Sequence, residues 1–201
     1  MLTAQIERLG DRKAAAELSG GVMRMTRVVQ QLMRVAELES LAIPPEATAD
    51  LHAVAVDVAA MLAPLAVKSG KSIAVVGRAR PLAVHGHAEL LGHALRNLVE
   101  NALAHTPQGT TVEIEVAAGD PREGGVPAFK VRDRGEGVPP ENRDRIFQRF
   151  WRADRKRADG AGLGLAIVAR IADLHGAEIS VGDAPGGGAE FIIRLPASLP
   201  V

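Results

Sequence analysis

The sequence predicts an α+β fold, a two-layer α/β sandwich preceded by a helical segment. Three observations carry that expectation. From Thr110 to Ala117, apolar Val112, Ile114 and Val116 alternate with Thr111, Glu113 and Glu115, the pattern of a strand with one buried face. The runs Ala177–Val181 and Ala189–Leu195 flank Gly186-Gly187-Gly188 and pair as a hairpin across it. The helical patterns are segregated among runs of strands, which favours two layers over repeated βαβ units.

Residues 2–9 read as the end of a helix broken at Gly10-Asp11. A longer helical pattern runs from about Ala14 to Ser40, with Leu18, Val22, Met25, Val29, Leu32 and Ala36 at alternating steps of four and three. That is the seam of a helix packed in a hairpin or bundle, and Arg24, Arg27, Gln30, Gln31 and Arg34 occupy the other face. Ile43-Pro44-Pro45-Glu46 ends the helix, because proline disfavours helix before it and donates no hydrogen bond. The domain boundary falls there, between a helical segment at 1–43 and a larger domain at 48–198. Asp50 is suited to cap a helix over 50–68. Short strands come next at Ser72–Val76 and Leu82–His85. Ala88–Ala104 reads as a helix with Leu91, Leu95, Leu98, Val99 and Ala102 on its apolar face, and Val126–Arg132 as a strand ending at Asp133. The last helix is expected over Leu163–His175.

The bulk properties exclude several functions. The 201 residues carry 24 bases and 24 acids, so no global field draws the chain to nucleic acid or an acidic membrane. The absence of cysteine removes disulfides, thiolate metal sites and a cysteine nucleophile. No apolar run approaches the ~20 residues of a membrane helix, and Met1-Leu2-Thr3-Ala4-Gln5 is no signal peptide. The expectation is a soluble, cytoplasmic chain without membrane contact of its own.

Chemistry concentrates between Asn97 and Leu165. Asn97 and Asn101 lie one turn apart on a helix, so both amides share a face. Amide oxygens are hard neutral ligands, suited to Mg²⁺ that also shares phosphate oxygens, although the same spacing fits an ordinary polar face. Asp133 at a strand end, with Gly135 and Gly137, can accept from the exocyclic amine of a base; Asp and Gly also favour plain turns. Gly160, Gly162 and Gly164 lead into an apolar helix, which presents free N–H groups and a positive dipole end suited to phosphate. The turn comes after no strand and lacks a Lys-Ser/Thr ending, so it is neither a Rossmann turn nor a P-loop. Phe147, Phe150 and Trp151 place three aromatics within five residues of a chain that has only four Phe and one Trp. They read as a small satellite core anchoring a loop. In that basic segment Arg149, Arg152, Arg155, Lys156 and Arg157 are candidates for phosphate contact or for a solvated surface.

The order of these motifs resembles one family. Leu95-Arg96-Asn97-Leu98-Val99-Glu100-Asn101-Ala102 resembles the N box of sensor histidine kinases. Asp133-Arg134-Gly135-Glu136-Gly137-Val138 and Gly160-Ala161-Gly162-Leu163-Gly164-Leu165 resemble their two glycine boxes, and Ile146-Phe147-Gln148-Arg149-Phe150-Trp151-Arg152 their F box. The similarity covers roughly 48–196 and, more loosely, the helix 14–40. It implies the histidine-kinase/gyrase-type ATPase (GHKL) fold, a mixed sheet backed by helices with ATP under a flexible lid.

The resemblance implies ATP and Mg²⁺ as cofactors, with Asn97 and Asn101 at the metal and phosphates. It puts Asp133 on the adenine amine, gives room for the base at Gly135 and Gly137, and sets backbone N–H groups of Gly162, Leu163 and Gly164 toward the phosphates. Val138, Leu165 and Gly160 join the nucleotide set as motif members, Arg149 and Arg152 as cations, and Phe147 and Phe150 as lid anchors. Ala104 stands where many relatives carry a base, and His105 is expected to touch the nucleotide. Hydrolysing relatives place a Glu general base where this chain has Asn97. An amide cannot serve as general base at neutral pH, so the expectation is weak hydrolysis and phosphotransfer to a protein histidine.

None of His52, His85, His87, His93, His105 and His175 begins the family's H-box pattern. Leu2-Thr3-Ala4 resembles the residues directly after that box, so the chain is expected to begin just past the phosphoacceptor, and 1–43 to be a truncated dimerisation hairpin. The implied partners are a response regulator and a second copy joined through the hairpin, with no nucleic acid. Two alternatives are a non-catalytic nucleotide-binding and dimerisation module, and an anti-sigma-type serine kinase, which the long helix before Pro44 argues against.

Overall fold

The structure is a computed structural model. It describes residues 41–77, 80–118, 125–152 and 162–196, together with Leu18, Val22, Met25, Thr26, Val29, Met33 and Leu38 of the N-terminal helical stretch. The expected helix end at 2–9 lies outside the described residues, as do Gly160 and the cations Arg155, Lys156 and Arg157.

Three helices, α1 (Leu51–Lys68), α2 (Ala88–His105) and α3 (Gly164–Leu174), back a five-stranded sheet. The strands β2 (Ser72–Gly77), β4 (Thr111–Ala117), β5 (Ala128–Arg132), β6 (Glu178–Asp183) and β7 (Ala189–Arg194) run in the order β2-β4-β5-β7-β6. β2 and β4 are parallel and the remaining pairs antiparallel, so the sheet is mixed. A separate antiparallel pair joins β1 (Thr48–Asp50) to β3 (Ala83–His85), with Ala49 opposite Val84. From Thr48 onward the expected elements are present with ends shifted by one or two residues, while of the expected helix 14–40 only single positions are described. β1 and a short 3-10 helix at Pro140–Asn142 are additions: three residues each are too few to show a period.

The core forms where the alternation predicts it. Val112, Ile114 and Val116 of β4, Phe129 and Val131 of β5, and Phe191 and Ile193 of β7 point to the helices, against Leu91, Leu95, Leu98, Ile167 and Ile171. The other sheet face is a charge ladder. Arg132 pairs with Glu190, Glu115 and Glu113, and Lys130 lies 3.4 Å from Glu115. Burial works against the Arg132 charge, but the hydrogen-bonded Glu190 and Glu115 outweigh it and raise its pKa above the usual value.

Asp50 caps α1 as expected, its Oδ1 accepting from the His52 N–H at 3.0 Å and from the Leu82 N–H at 2.9 Å. Pro64 lies within α1 without breaking it, though it has no N–H for the Ala60 carbonyl. α1 is also 18 residues long with a mean hydropathy of 1.6, enough by length and composition to cross a membrane. Leu51, Val54, Ala55, Val58, Leu62 and Ala66 of this helix are nevertheless buried in the core. Leu38, inside the expected hairpin segment, is 2% exposed in the same core, and Arg170 of α3 donates to its carbonyl at 3.3 Å. Leu18, Val22, Met25 and Val29 of the expected seam are exposed.

Candidate functional site

The end of β5 meets the C-terminal half of α2 and the start of α3 around a hollow of about 160 Å³. Asp133, only 3% exposed, forms its floor. Its backbone N–H donates to the Ala189 carbonyl at 3.0 Å, continuing the β5–β7 ladder by one residue. Its Oδ1 accepts from the N–H groups of Gly135 at 2.8 Å and Ala189 at 3.0 Å. Among the described residues its Oδ2 takes no hydrogen bond, and the carboxylate borders the hollow.

Missing Cβ atoms make this arrangement feasible. A Cβ on Gly188, at φ 94°, would lie 2.2 Å from the Asp133 carbonyl oxygen, and one on Gly135 would lie 2.7 Å from the His105 carbonyl oxygen. Gly137 turns the chain with φ 77°, a conformation that costs glycine little. Thr106 ties α2 to the same corner: its Oγ1 accepts from the Arg134 N–H at 3.0 Å. Asn101 and His105, one turn apart on α2, thereby share the hollow with Asp133.

The walls are apolar: Val138, Ile146, Leu165 and Phe191, with Trp151 at the side. Phe147 supports Phe191 edge-on, ring centroids 6.5 Å apart at 89°. α3 begins beside the hollow. Leu163 precedes it without a side-chain cap, so among the described residues no side-chain hydrogen bond covers the first N–H groups of the helix. Gly162, at φ 69°, passes close to Phe150 and Trp151; a Cβ there would lie 2.7 Å from the Trp151 carbonyl oxygen, and the Phe150 N–H donates to the Gly162 carbonyl at 2.9 Å.

Of the residues expected at the site, Asn101, His105, Asp133, Gly137, Val138 and Leu165 line the hollow. Gly135, Gly162, Leu163 and Gly164 do not line it, although Gly135 donates to Asp133 and Gly162 passes Trp151, both of which do. Asn97 stands back: its Nδ2 donates to the His93 carbonyl at 2.8 Å, and a Cβ on Gly164 would lie 3.2 Å from its Oδ1. The expected lid anchors divide. Phe147 and Trp151 pack on the core, whereas Phe150, at φ 64°, is 60% exposed. Its backbone turns the ring outward while the neighbours turn in. Arg149 and Arg152 flank that segment but do not line the hollow. Glu136, Pro139, Ile146, Trp151, Ala189 and Phe191 line it without having been expected as site residues. Ile146 and Trp151 carried a signal as members of the aromatic segment, and Phe191 as an inward residue of β7.

A metal held by protein alone does not fit: among the described residues no three His, Cys, Asp or Glu gather around a common point. Glu100 is engaged by Arg96, Nε to Oε1 at 2.8 Å, outside the hollow. The Asn101 amide oxygen, a hard neutral donor on the wall, suits a cation that arrives with phosphate oxygens and keeps water ligands.

A floor carboxylate under apolar walls, with glycine turns for close approach and an uncapped helix N-terminus alongside, defines a nucleotide-binding domain. Residues 86–199 match the profile of the histidine kinase-, DNA gyrase B- and HSP90-like ATPases, and the chain belongs to that family as a histidine kinase-type catalytic domain. Sensor protein QseC of Escherichia coli O157:H7 is 36% identical over 186 residues, 89% of this chain and 38% of the relative. The sensor-like histidine kinase SenX3 of Mycobacterium bovis is 44% identical over 119 residues, 58% of this chain and 28% of that protein. Among solved structures, full-length ShkA in complex with AMPPNP superposes with a TM-score of 0.70 at 33% identity, over 88% of this chain and 37% of its own. The mycobacterial sensor histidine kinase MprB gives a TM-score of 0.62 at 28% identity, over 76% and 98%. The chain spans about two fifths of the length of the QseC relatives it matches.

Proposed function

We propose that the chain binds ATP with Mg²⁺ in this hollow and transfers the γ-phosphoryl group to a histidine of a helical hairpin outside its own six histidines, as the catalytic region of a two-component sensor kinase. The carrying observation is the Asp133 carboxylate, fixed through one oxygen by two backbone N–H groups and bordering an apolar slot. Asp133 accepts from the adenine amine. Val138, Ile146, Leu165 and Phe191 flank the base and exclude water. Asn101 lends its amide oxygen to the cation, and the start of α3 offers N–H groups to the phosphates. Mg²⁺, when bound, neutralises phosphate charge in the transfer.

The chain's residues favour transfer over hydrolysis. Asn97 occupies the place of a general base, and an amide does not take a proton from water. The exposed seam at Leu18, Val22, Met25 and Val29 supports pairing through the hairpin, and a response regulator is the proposed onward acceptor. The test is incubation of the chain with labelled ATP and a separate protein carrying an H-box hairpin. Label on the hairpin histidine, with ATP turnover in water far slower, is expected. ATP binding without transfer to any histidine hairpin would instead leave a non-catalytic nucleotide module.

A further inference from the structure

The outer face of α1 breaks the usual rule for a surface helix, whose solvent side is charged. Val56, Met61, Leu65 and Val67 stand there 43, 57, 46 and 74% exposed. Exposed Ala60, Ala63 and Pro64 extend the patch. Apart from His52 in its first turn, the helix has one acid and one base, Asp57 and Lys68, both exposed. Contiguous apolar surface of this kind marks an interaction site, and the arrangement of its two charges specifies the partner.

Asp57, Met61, Pro64 and Lys68 succeed one another at steps of four, three and four, so they form a single stripe along the helix. That spacing reads the same from either end. Turning a second copy end for end about an axis midway between residues 62 and 63 therefore sets Asp57 of each chain opposite Lys68 of the other. It sets Met61 opposite Pro64 in the middle. The match is the self-complementarity that a two-fold contact requires. We propose that α1 is a self-association surface, on which two copies of this chain pack α1 against α1, antiparallel, burying Met61, Pro64 and Leu65 between two reciprocal Asp57–Lys68 pairs.

A bilayer is a poorer occupant. The inner side of α1 is committed to the core, so the helix is not free to span one. The surface is also separate from the nucleotide hollow. α1 packs on α2, β2 and β4 at one end of the sheet, whereas α3 lies over β6 at the other, so pairing through α1 leaves the hollow open.

The test uses the full chain carrying Val22→Glu and Met25→Glu, so that the N-terminal seam does not associate. Sedimentation velocity over a concentration series is expected to show a dimer. Asp57→Lys and Lys68→Asp each replace two attractions by two repulsions and should weaken it roughly tenfold; the double exchange should restore it. The chain has no cysteine, so Met61→Cys introduces a single thiol that should close to a disulfide dimer on air oxidation. Asp183→Cys, at a position 77% exposed elsewhere, should not. A monomer at all concentrations overturns the proposal, as does a double exchange no better than either single change. Equal cross-linking at 61 and 183 also overturns it. Binding to phosphatidylcholine vesicles in place of self-association would assign the patch to lipid and overturn it likewise.

Discussion

Asp133 shows how much rests on one atom. Its Oδ1 is used internally, by Gly135 and Ala189, and only the rest of the carboxylate is left for a ligand. Asp133→Asn keeps the shape and spoils the pairing with an amine donor. ATP affinity measured by calorimetry should fall by about 1–3 kcal/mol, with the thermal transition changing far less; unchanged affinity would remove Asp133 from the adenine. Asn101 and Asn97 look equivalent in the sequence and are not equivalent in the fold. Asn101→Ala should weaken ATP binding in Mg²⁺ more than in EDTA, whereas Asn97→Ala, which removes a bond to the His93 carbonyl, should lower both to the same extent. Equal losses for Asn101→Ala in the two buffers would exclude its metal role. Asp133 was legible because a carboxylate beside glycines at a strand end is a local pattern. Gly188 was legible only as part of a hairpin turn: its need for no Cβ comes from Asp133, fifty-five residues earlier in the chain, and appears only once β5 and β7 are paired. Phe150 misled for the opposite reason, since composition cannot distinguish an aromatic turned inward from one turned out by its backbone.

At the scale of elements, long periodic segments announced themselves and short ones did not. α2 and β4 had enough turns or alternations to fix the buried face. β1 had three residues, and its identity depends on β3 lying thirty-odd residues away. Asp50 links the two levels. It was legible as a helix cap, yet its Oδ1 also takes the Leu82 N–H beside β3 and so ties α1 to the small sheet. The Leu82 N–H is the main cause of its lowered pKa; burial opposes the shift, and the N–H groups of His52 and Ala53 add to it. Asp50→Ala should therefore cost about 1–2 kcal/mol by chemical denaturation, because two donors lose their acceptor. A loss no larger than that of a neutral surface change would mean that the cap is replaced by water. The lowered pKa also sets the sign for acid: the stabilisation is present above the ordinary carboxylate value of 3.8 and is lost as pH falls through the lower folded value.

Across the whole molecule, α2, α3 and the β3 corner converge on His175, which is 4% exposed. Its Nδ1 lies 2.8 Å from the Ile171 carbonyl oxygen and so carries the proton, while Nε2 accepts the His87 N–H at 3.0 Å, where α2 begins. Gly86 comes close enough that a Cβ there would lie 2.8 Å from the ring. The ring is thus a neutral bridge between the end of one site-bearing helix and the start of another. Burial is the main cause that pushes its pKa below the ordinary 6.5; the Ile171 carbonyl opposes the shift, and the nearby His85 and His87 add to it. In the unfolded chain the same imidazole takes up a proton near pH 6.5, whereas the folded chain resists it. Stability from this group is consequently complete above about pH 6.5 and declines as pH falls from there toward the lower folded value, because the unfolded state binds more protons in that window. A protonated Nε2 would also cease to accept from His87, so the loss falls on the corner that positions α2, and with it Asn101 and His105. Urea midpoints measured from pH 5 to 8 should rise with pH in the wild type. His175→Gln should be less stable at pH 8 and show a shallower rise. An undiminished slope in His175→Gln would place the acid sensitivity elsewhere and leave the bridge a packing contact alone.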